Sequence, residues 1–284
     1  MSTAKDKIAD ISKWQGDIDW KLAASELAFC ILRASCGLGH DGKYEQNVRG
    51  CVDNGVPFAA YHYVNAGNAA AARKEAQFFV KACKEAAKLP LFYIADIEAD
   101  AQTQTTTESV CVAFLEELRA QGCERIGLYI NTRYKWAGAA IGMCDVMWIP
   151  HWGKNDGNIP GQEYMPKYPC DLWQYTSHGT LAGVKTRVDL SVPLNGRSIG
   201  FFTGEDTAQE PAQAPGKAVR TVVIKGTSKV YIREGNGTEY AKITLLPPGT
   251  SMPWVATAEN GWNAVVYKNR VVWISGDYTD VKGA

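Results

Sequence analysis

Apolar runs of two lengths alternate through the first two hundred residues. The short ones are Lys7–Ser12 (KIADIS), Ala28–Ala34 (AFCILRA), Pro57–Val64 (PFAAYHYV), Leu91–Glu98 (LFYIADIE) and Arg125–Asn131 (RIGLYIN). They are nearly continuous in apolar, β-branched and aromatic residues, the texture of strands covered on both faces. Between them lie longer segments with helical spacing: Asp19–Leu27, Tyr44–Asn54 stopped by Gly55, and alanine-rich Asn68–Lys88 with Phe78, Phe79 and Val80 on its buried side. Thr105 and Glu108 read as a capping box opening a helix to Gln121, with Gly122 as its stop. Arg133–Ile141 predicts one more helix, after which Asp145–Pro150, Asp171–Tyr175 and Arg187–Leu190 follow as strands with no helices between them. Five strand–helix alternations followed by bare strands predict a parallel α/β fold. Eight strands are enough to close it into a TIM-like barrel with about five helices.

Beyond this region the texture changes twice. Phe202–Gly216 (FTGEDTAQEPAQAPG) is polar and acidic, carries Pro211 and Pro215, and has no apolar period, so a linker is expected over 204–217. From Val219 the apolar runs shorten to VRTVVI, KVYIR, YAKITLL, MPWVATA, WNAVVY and RVVWIS. Gly226, Gly235-Asn236-Gly237, Pro247-Pro248-Gly249, Asn260-Gly261 and Lys268-Asn269 punctuate them, which predicts a small all-β barrel over 218–284. The predicted organisation is thus 1–203, a linker, and 218–284.

Composition narrows the class only a little. The 284 residues are 46% hydrophobic and 21% charged with a formal net charge of +0, ordinary for a globular protein and without the basic excess that marks nucleic-acid binding. From Ala218 onward eight Lys+Arg face five Asp+Glu, a small positive bias. The N-terminus, MSTAKDKIADIS, lacks the apolar core of a secretory signal, and no run approaches the length of a membrane span. The expectation is synthesis in the cytoplasm, with any action outside following lysis, holin-mediated release or signal-less export. The eight cysteines (30, 36, 51, 83, 111, 123, 144 and 170) show no C-x-x-C pairing or metal-ligand spacing and read as buried free thiols.

Candidate chemistry centres on the strand Leu91–Glu98. Side chains alternate along a strand, so Asp96 and Glu98 share one face. Two carboxylates ending an apolar strand are costly to desolvate, and in a pocket they push each other's pKa values apart, the arrangement that keeps one acid protonated at neutral pH. The same pair is also compatible with a turn cap and a solvated strand end. Asp10 ends the first predicted strand and Asp189 lies in the last. In the barrel reading all four acids gather at the mouth formed by the C-terminal strand ends.

Eight short motifs in order make the first two hundred residues resemble glycoside hydrolase family 25, the N-acetylmuramidases that cut peptidoglycan. They are D-I-S-x-W-Q-G (Asp10–Gly16), I-L-R-A-S (Ile31–Ser35), A-Y-H-Y (Ala60–Tyr63), D-I-E (Asp96–Glu98), G-L-Y-I-N (Gly127–Asn131), W-I-P (Trp148–Pro150), L-W-Q-Y-T (Leu172–Thr176) and V-D-L-S (Val188–Ser191). The resemblance implies that Glu98 is the general acid, with Asp96 its partner beside the scissile bond and Asp10 and Asp189 flanking the same cleft. In the mechanism expected from this, Asp96 stays ionised and either faces the anomeric carbon or orients the substrate's N-acetyl group. Under it, Tyr61, Tyr63, Tyr129, Trp148 and Gln174 are expected to contact sugar, whereas Tyr93 and Trp173 are assigned to core packing. Arg33 is read as a structural partner of an acid. No cofactor is required, and His40, His62, His151 and His178 show no ligand spacing.

From Val219 the chain resembles a bacterial SH3-like cell-wall-binding module. The matching segments are K-V-Y-I-R-E-G (Lys229–Gly235), N-G-W-N-A-V (Asn260–Val265) and V-V-W-I-S-G-D-Y (Val271–Tyr278), with Tyr231 departing from the Asn usual in the first. Together the two resemblances imply the layout of a phage endolysin or bacterial autolysin, with peptidoglycan as partner. Two alternatives remain at this level: a chitinase or N-acetylglucosaminidase, although the longer D-x-x-D-x-D-x-E motif is absent, and a catalytically silent wall-binding protein.

Overall fold

The apolar stretches become the strands β1 (Lys7–Ile11), β2 (Leu27–Cys36), β4 (Phe58–Tyr63), β5 (Tyr93–Ile97), β6 (Ile126–Ile130), β7 (Val146–Pro150), β8 (Leu172–Gly179) and β9 (Val188–Pro193), with β3 (Gly39–His40) a short hairpin arm on β2. This computed structural model describes residues 5–205, 220–258, 260–267 and 270–283. It falls into two compact units that divide between Pro211 and Ala212. In the first unit β1 pairs with both β2 and β9, so the eight long strands close into a barrel.

One strand departs from the expected parallel arrangement. β1, β2 and β4–β8 are parallel neighbours, but β9 runs antiparallel to both β8 and β1. Residues 180–187, which join β8 to β9, contain no helix and fall short of the roughly dozen residues that a parallel crossover needs. Reversal is what so short a link permits.

The helices among the described residues are α1 (Trp20–Ala23), α2 (Tyr44–Asp53), α3 (Ala69–Glu85), α4 (Thr107–Ala120) and α5 (Ile199–Thr203); the first four stand where helices were expected, and α5 was not expected. α1 is a single turn capped by the Asp19 carboxylate, because β2 begins as early as Leu27. The predicted Thr105/Glu108 capping box does not form: α4 begins at Thr107, and Glu108 instead accepts from the backbone N–H of Ala139. That contact replaces the expected helix over Arg133–Ile141 with two 3-10 turns, Thr132–Trp136 and Gly138–Met143. They break at Gly138, where φ is +52° and a Cβ would collide with the Glu108 carboxylate. Phe202, placed by the sequence at the start of the linker, is buried within α5. From residue 206 on, the expected linker lies outside the described residues.

The barrel interior is written with period two. Inward positions read Ile8 then Asp10 on β1, Phe29, Ile31 and Arg33 on β2, Ala59, Tyr61 and Tyr63 on β4, Ile94, Asp96 and Glu98 along and just past β5, and Leu172 then Gln174 on β8. Each stripe is apolar at the barrel's lower end and polar at its upper end. Phe202 of α5 seals the lower end against Phe29 and Phe92, and Arg125 lies over the Phe92 ring while donating to the Phe201 carbonyl. Outside the barrel, α3 and α4 pack Phe79 and Phe114 against the strands.

The alternate face of β4 carries His62 into that outer layer. Its ring is fully buried, with Nδ1 2.7 Å from Ser35 Oγ and Nε2 3.0 Å from Glu75 Oε2. Glu75 also accepts from the Asn65 N–H, so one α3 carboxylate ties the helix to β4 and to the turn after it. Of the cysteines expected to be buried, Cys36 is exposed and Cys144 half-buried, the other six being buried.

The second unit contains β10 (Thr221–Ile224), β11 (Val230–Arg233), β12 (Lys242–Leu246), β13 (Ser251–Thr257), β14 (Trp262–Tyr267), β15 (Arg270–Ser275) and β16 (Thr279–Lys282), all antiparallel in the order β12-β11-β15-β14-β13-β10-β16. Val222, Ile224, Ile232, Val265, Val272 and Ile274 are among its core residues. β16 went unsignalled because its sequence, TDVK, is polar; it is an edge strand with only Thr279 buried, held by Asn263 Nδ2 donating to Thr279 Oγ1 at 3.0 Å. Glu259 and the predicted Lys268-Asn269 turn lie outside the described residues.

Removing the Glu75 carboxylate leaves buried polar groups unpaired, so Glu75→Ala should cost about 1–3 kcal/mol in urea unfolding at pH 7. Burial holds the His62 pKa below its ordinary value. The unfolded chain therefore takes up a proton that the folded one refuses, and the His62 contribution to stability falls as pH drops below about 6.5. Denaturant melts between pH 7 and pH 5 should show the natural chain losing stability relative to His62→Gln.

Candidate active site

The polar upper ends of the stripes surround a cavity of about 320 Å³. Asp10, Asp96, Glu98 and Asp189 all line it, as do Tyr61, Tyr63, Tyr129, Trp148 and Gln174, so every site residue chosen from sequence faces one space. Asp189 arrives there by a route the sequence did not suggest. It stands near the start of the antiparallel β9, whose first residues meet the last residues of the parallel strands, and it pairs in register with Asp10.

The electrostatics follow from crowding acids into a desolvated space. Burial, then Asp189, push the Asp10 carboxyl well above the usual carboxylate range. Asp10 is hydrogen-bonded to Asp189, a bond that favours the proton on Asp10 and the charge on Asp189. Asp96 is likewise pushed well up by burial, by Glu98 and by Asp10. Its Oδ1 is buried and accepts no hydrogen bond from the protein. One position deeper on the stripe than Glu98, Asp96 suffers the greater desolvation. Glu98, only partly buried, is raised by burial and by Asp189 against the opposing charge of Arg133.

Gln174 organises one wall. The indole N–H of Trp152 and the hydroxyl of Tyr129 both donate to its Oε1, at 2.9 and 3.1 Å. An indole nitrogen only donates, so the amide oxygen must face it and the amide nitrogen must face Asp10 Oδ2, 2.9 Å away. Tyr129 and Trp148 meet edge to face at 4.5 Å, and Trp148 Nε1 donates to Ser191 Oγ, fixing an aromatic floor beneath the acids. Tyr63 is more open than Tyr61 or Tyr129.

Other assignments sort themselves by burial. Tyr93, Trp173 and Tyr175 are in the outer core. Arg33 lines the cavity but pairs with Asp41, at 2.7 Å, rather than with the four acids; Asp41 in turn accepts from the backbone of Lys13 and Lys43. Sequence reasoning missed Trp14, which lines the cavity while 70% exposed, and Arg133, which donates to the Glu98 carbonyl. Trp14 lay inside a recognised motif and was legible there; Arg133 was masked by the helix expected around it. Among the described residues no group of His, Cys, Asp and Glu is arranged to hold a metal ion, and no helix is long and apolar enough to cross a membrane.

The family model described as glycosyl hydrolases family 25 matches residues 9–184. Lysozyme M1 of Streptomyces globisporus is 24% identical over 197 residues, covering 63% of this chain and 65% of its own length, so the match spans slightly less than two thirds of that relative. Among solved structures, the catalytic domain of endolysin ply40 from bacteriophage P40 of Listeria monocytogenes is similar with a TM-score of 0.62 and 26% identity, over 69% of this chain and 96% of that one. The CTP1L endolysin is similar with a TM-score of 0.57 and 28% identity, over 72% and 71%.

The acids are expected to cost stability. A carboxyl whose pKa is raised in the folded state contributes fully below the unfolded value of about 3.9 and loses that contribution as pH rises through the folded one. Asp96→Asn should therefore raise the melting temperature at pH 7, by an increment that shrinks towards zero near pH 4. Thermal melts of the two proteins across that range check it.

Proposed function

Because the chain belongs to glycosyl hydrolases family 25, we propose that it hydrolyses peptidoglycan at the β-1,4 bond between N-acetylmuramic acid and N-acetylglucosamine. The observation that carries this reading is the pair Asp96 and Glu98, successive inward positions at the end of one strand, both held above the usual carboxylate range and both lining one open cavity. Glycoside cleavage needs a proton donor for the leaving oxygen and a negative group beside the oxocarbenium-like transition state. In this reading Glu98, the more accessible of the two and raised by burial, is the donor. Asp96 sits deeper, facing the anomeric carbon or the substrate's N-acetyl group. Its unpartnered Oδ1 suits it to accept an amide N–H. An incoming donor hydrogen bond stabilises the ionised form, so substrate binding itself drives Asp96 towards the anion that the transition state requires.

Asp10 and Asp189 line the opposite wall of the same cavity. Tyr61, Tyr63, Tyr129 and Trp148 offer ring faces and hydroxyls for sugars, with Tyr63 and the exposed Trp14 nearest solvent. We assign the second unit to wall binding through an SH3-like module, supported by its resemblance in sequence and its all-antiparallel strands. The endolysin and autolysin layout, and action on the wall after release from the cell, belong to the same proposal.

Digestion of purified peptidoglycan followed by borohydride reduction and mass spectrometry tests the reaction. The natural chain should generate reduced N-acetylmuramic acid ends, and Glu98→Gln should lower their rate by about 10²-fold or more. Reduced N-acetylglucosamine ends would move the cut to the other bond, and no new ends from the folded protein would leave a wall-binding protein. Residues 217–284 alone should sediment with purified walls; their remaining in the supernatant would end the targeting assignment.

A further inference from the structure

The turn that follows β5 carries Glu98 out of the strand, and a catalytic acid on a turn needs something to hold it. Arg133, whose side chain is 17% exposed, does so from the segment after β6. Its Nη1 donates to the Glu98 carbonyl at 2.9 Å and its Nε to the Gln102 carbonyl at 3.0 Å, while Nη2 lies 3.9 Å from Asp100 Oδ1. The two carbonyls bracket the turn. From the other side the buried Gln102 amide donates to the carbonyls of Val64 and Ala66, both at 2.9 Å. Arg133 is itself set by Asn131, whose side chain accepts from its backbone N–H.

We propose that Arg133 is a positioning residue for Glu98, its guanidinium fixing the peptide of the acid through two backbone carbonyls and its charge tempering the anionic surroundings of that acid. This rests on the reading of Glu98 as the proton donor. The groups facing Glu98 are Asp96 from its own strand, Asp189 from β9, Asp10 from β1, Tyr63 from β4 and Tyr129 from β6, an acid-rich set. Burial and Asp189 both favour the proton on Glu98, and an acid that keeps its proton too firmly loses driving force for transfer to a leaving oxygen. Arg133 is the opposing influence, and it lowers the affinity of Glu98 for its proton without touching the carboxyl group.

Geometry and charge separate cleanly in two substitutions. A planar guanidinium donates to two carbonyls at once from a rigid fork, which an ammonium on a flexible stem does not reproduce. Arg133→Lys therefore keeps the charge and loses the clamp, and Arg133→Met loses both. The experiment measures kcat and KM on a soluble peptidoglycan fragment from pH 4 to pH 9, using the full chain and each variant, with thermal melts to verify folding. Arg133→Lys should lower kcat on the order of tenfold, with KM nearly unchanged and the alkaline limb of the profile where it was. Arg133→Met should lower kcat at least as much and move the alkaline limb to higher pH, since Glu98 then keeps its proton longer. Profiles that differ from the natural chain only in height for Arg133→Met would reduce Arg133 to a structural residue and overturn the proposal. So would a full kcat in Arg133→Lys, which decides the matter even where Arg133→Met fails to fold. Glu98→Gln measured alongside separates the two claims: activity retained there removes the donor assignment itself, whereas an inactive Glu98→Gln beside an unaltered Arg133 series removes only this inference.

Discussion

Taking carboxyl groups out of water is the constraint around which this barrel is built. Asp10 and Asp96 are buried, Asp189 and Glu98 partly so, and the four share one cavity with limited hydrogen bonding to offset their desolvation. Nothing about folding alone calls for such a cluster. It is tolerated because the rest of the domain over-determines the position of each acid: Asp10 is locked between its register partner Asp189 and the Gln174 amide, and Asp96 sits mid-stripe between two neighbouring strands. A flexible site would relax by turning the acids outward to solvent. A closed eight-stranded barrel cannot.

The same economy governs how charge is graded. Within one inward stripe, two residues of displacement separate a buried carboxyl from one that reaches solvent, and that difference in hydration is the largest influence on both Asp96 and Glu98. Arginines work around this gradient without neutralising it. Arg33 is taken up by Asp41, outside the acid cluster, and Arg133 reaches only the backbone of Glu98. Direct ion pairs to any of the four would hold the site permanently ionised and abolish the proton that glycoside chemistry uses. Placing cations one step away is therefore as much a part of the design as the acids.

The barrel was legible from sequence because its strands are apolar on both faces and its helices alternate with them. Short motifs marked the residues lining the cavity because acidic and aromatic side chains fall at strand ends, where a period-two reading assigns a face. What escaped lay where tertiary contacts override local pattern. The run Arg133–Ile141 has helical spacing, yet the Glu108 carboxylate captures the Ala139 N–H and divides it at Gly138, and that hid Arg133. The reversal of β9 was invisible in its own residues; only the brevity of the link from β8 carried the information. The greater burial of Asp96 was not legible, because spacing gives the face of a side chain and not its depth. In the second unit β16 has no apolar pattern to read, its place on the edge being set by its neighbours.

The β1–β9 seam has a consequence for the birth of the molecule. Asp10 and Asp189 are register partners, yet they leave the ribosome roughly 10 to 40 s apart at ordinary translation speeds. Without β9 nothing bridges β8 to β1, so the barrel cannot close and Asp10 lacks its register partner. Closing the last seam completes the barrel and dehydrates the cluster in one event, one that joins distant parts of the chain and is correspondingly slow. The nascent chain thus carries no assembled acid cluster through most of its synthesis, and that cluster appears, all at once, only when the domain is whole.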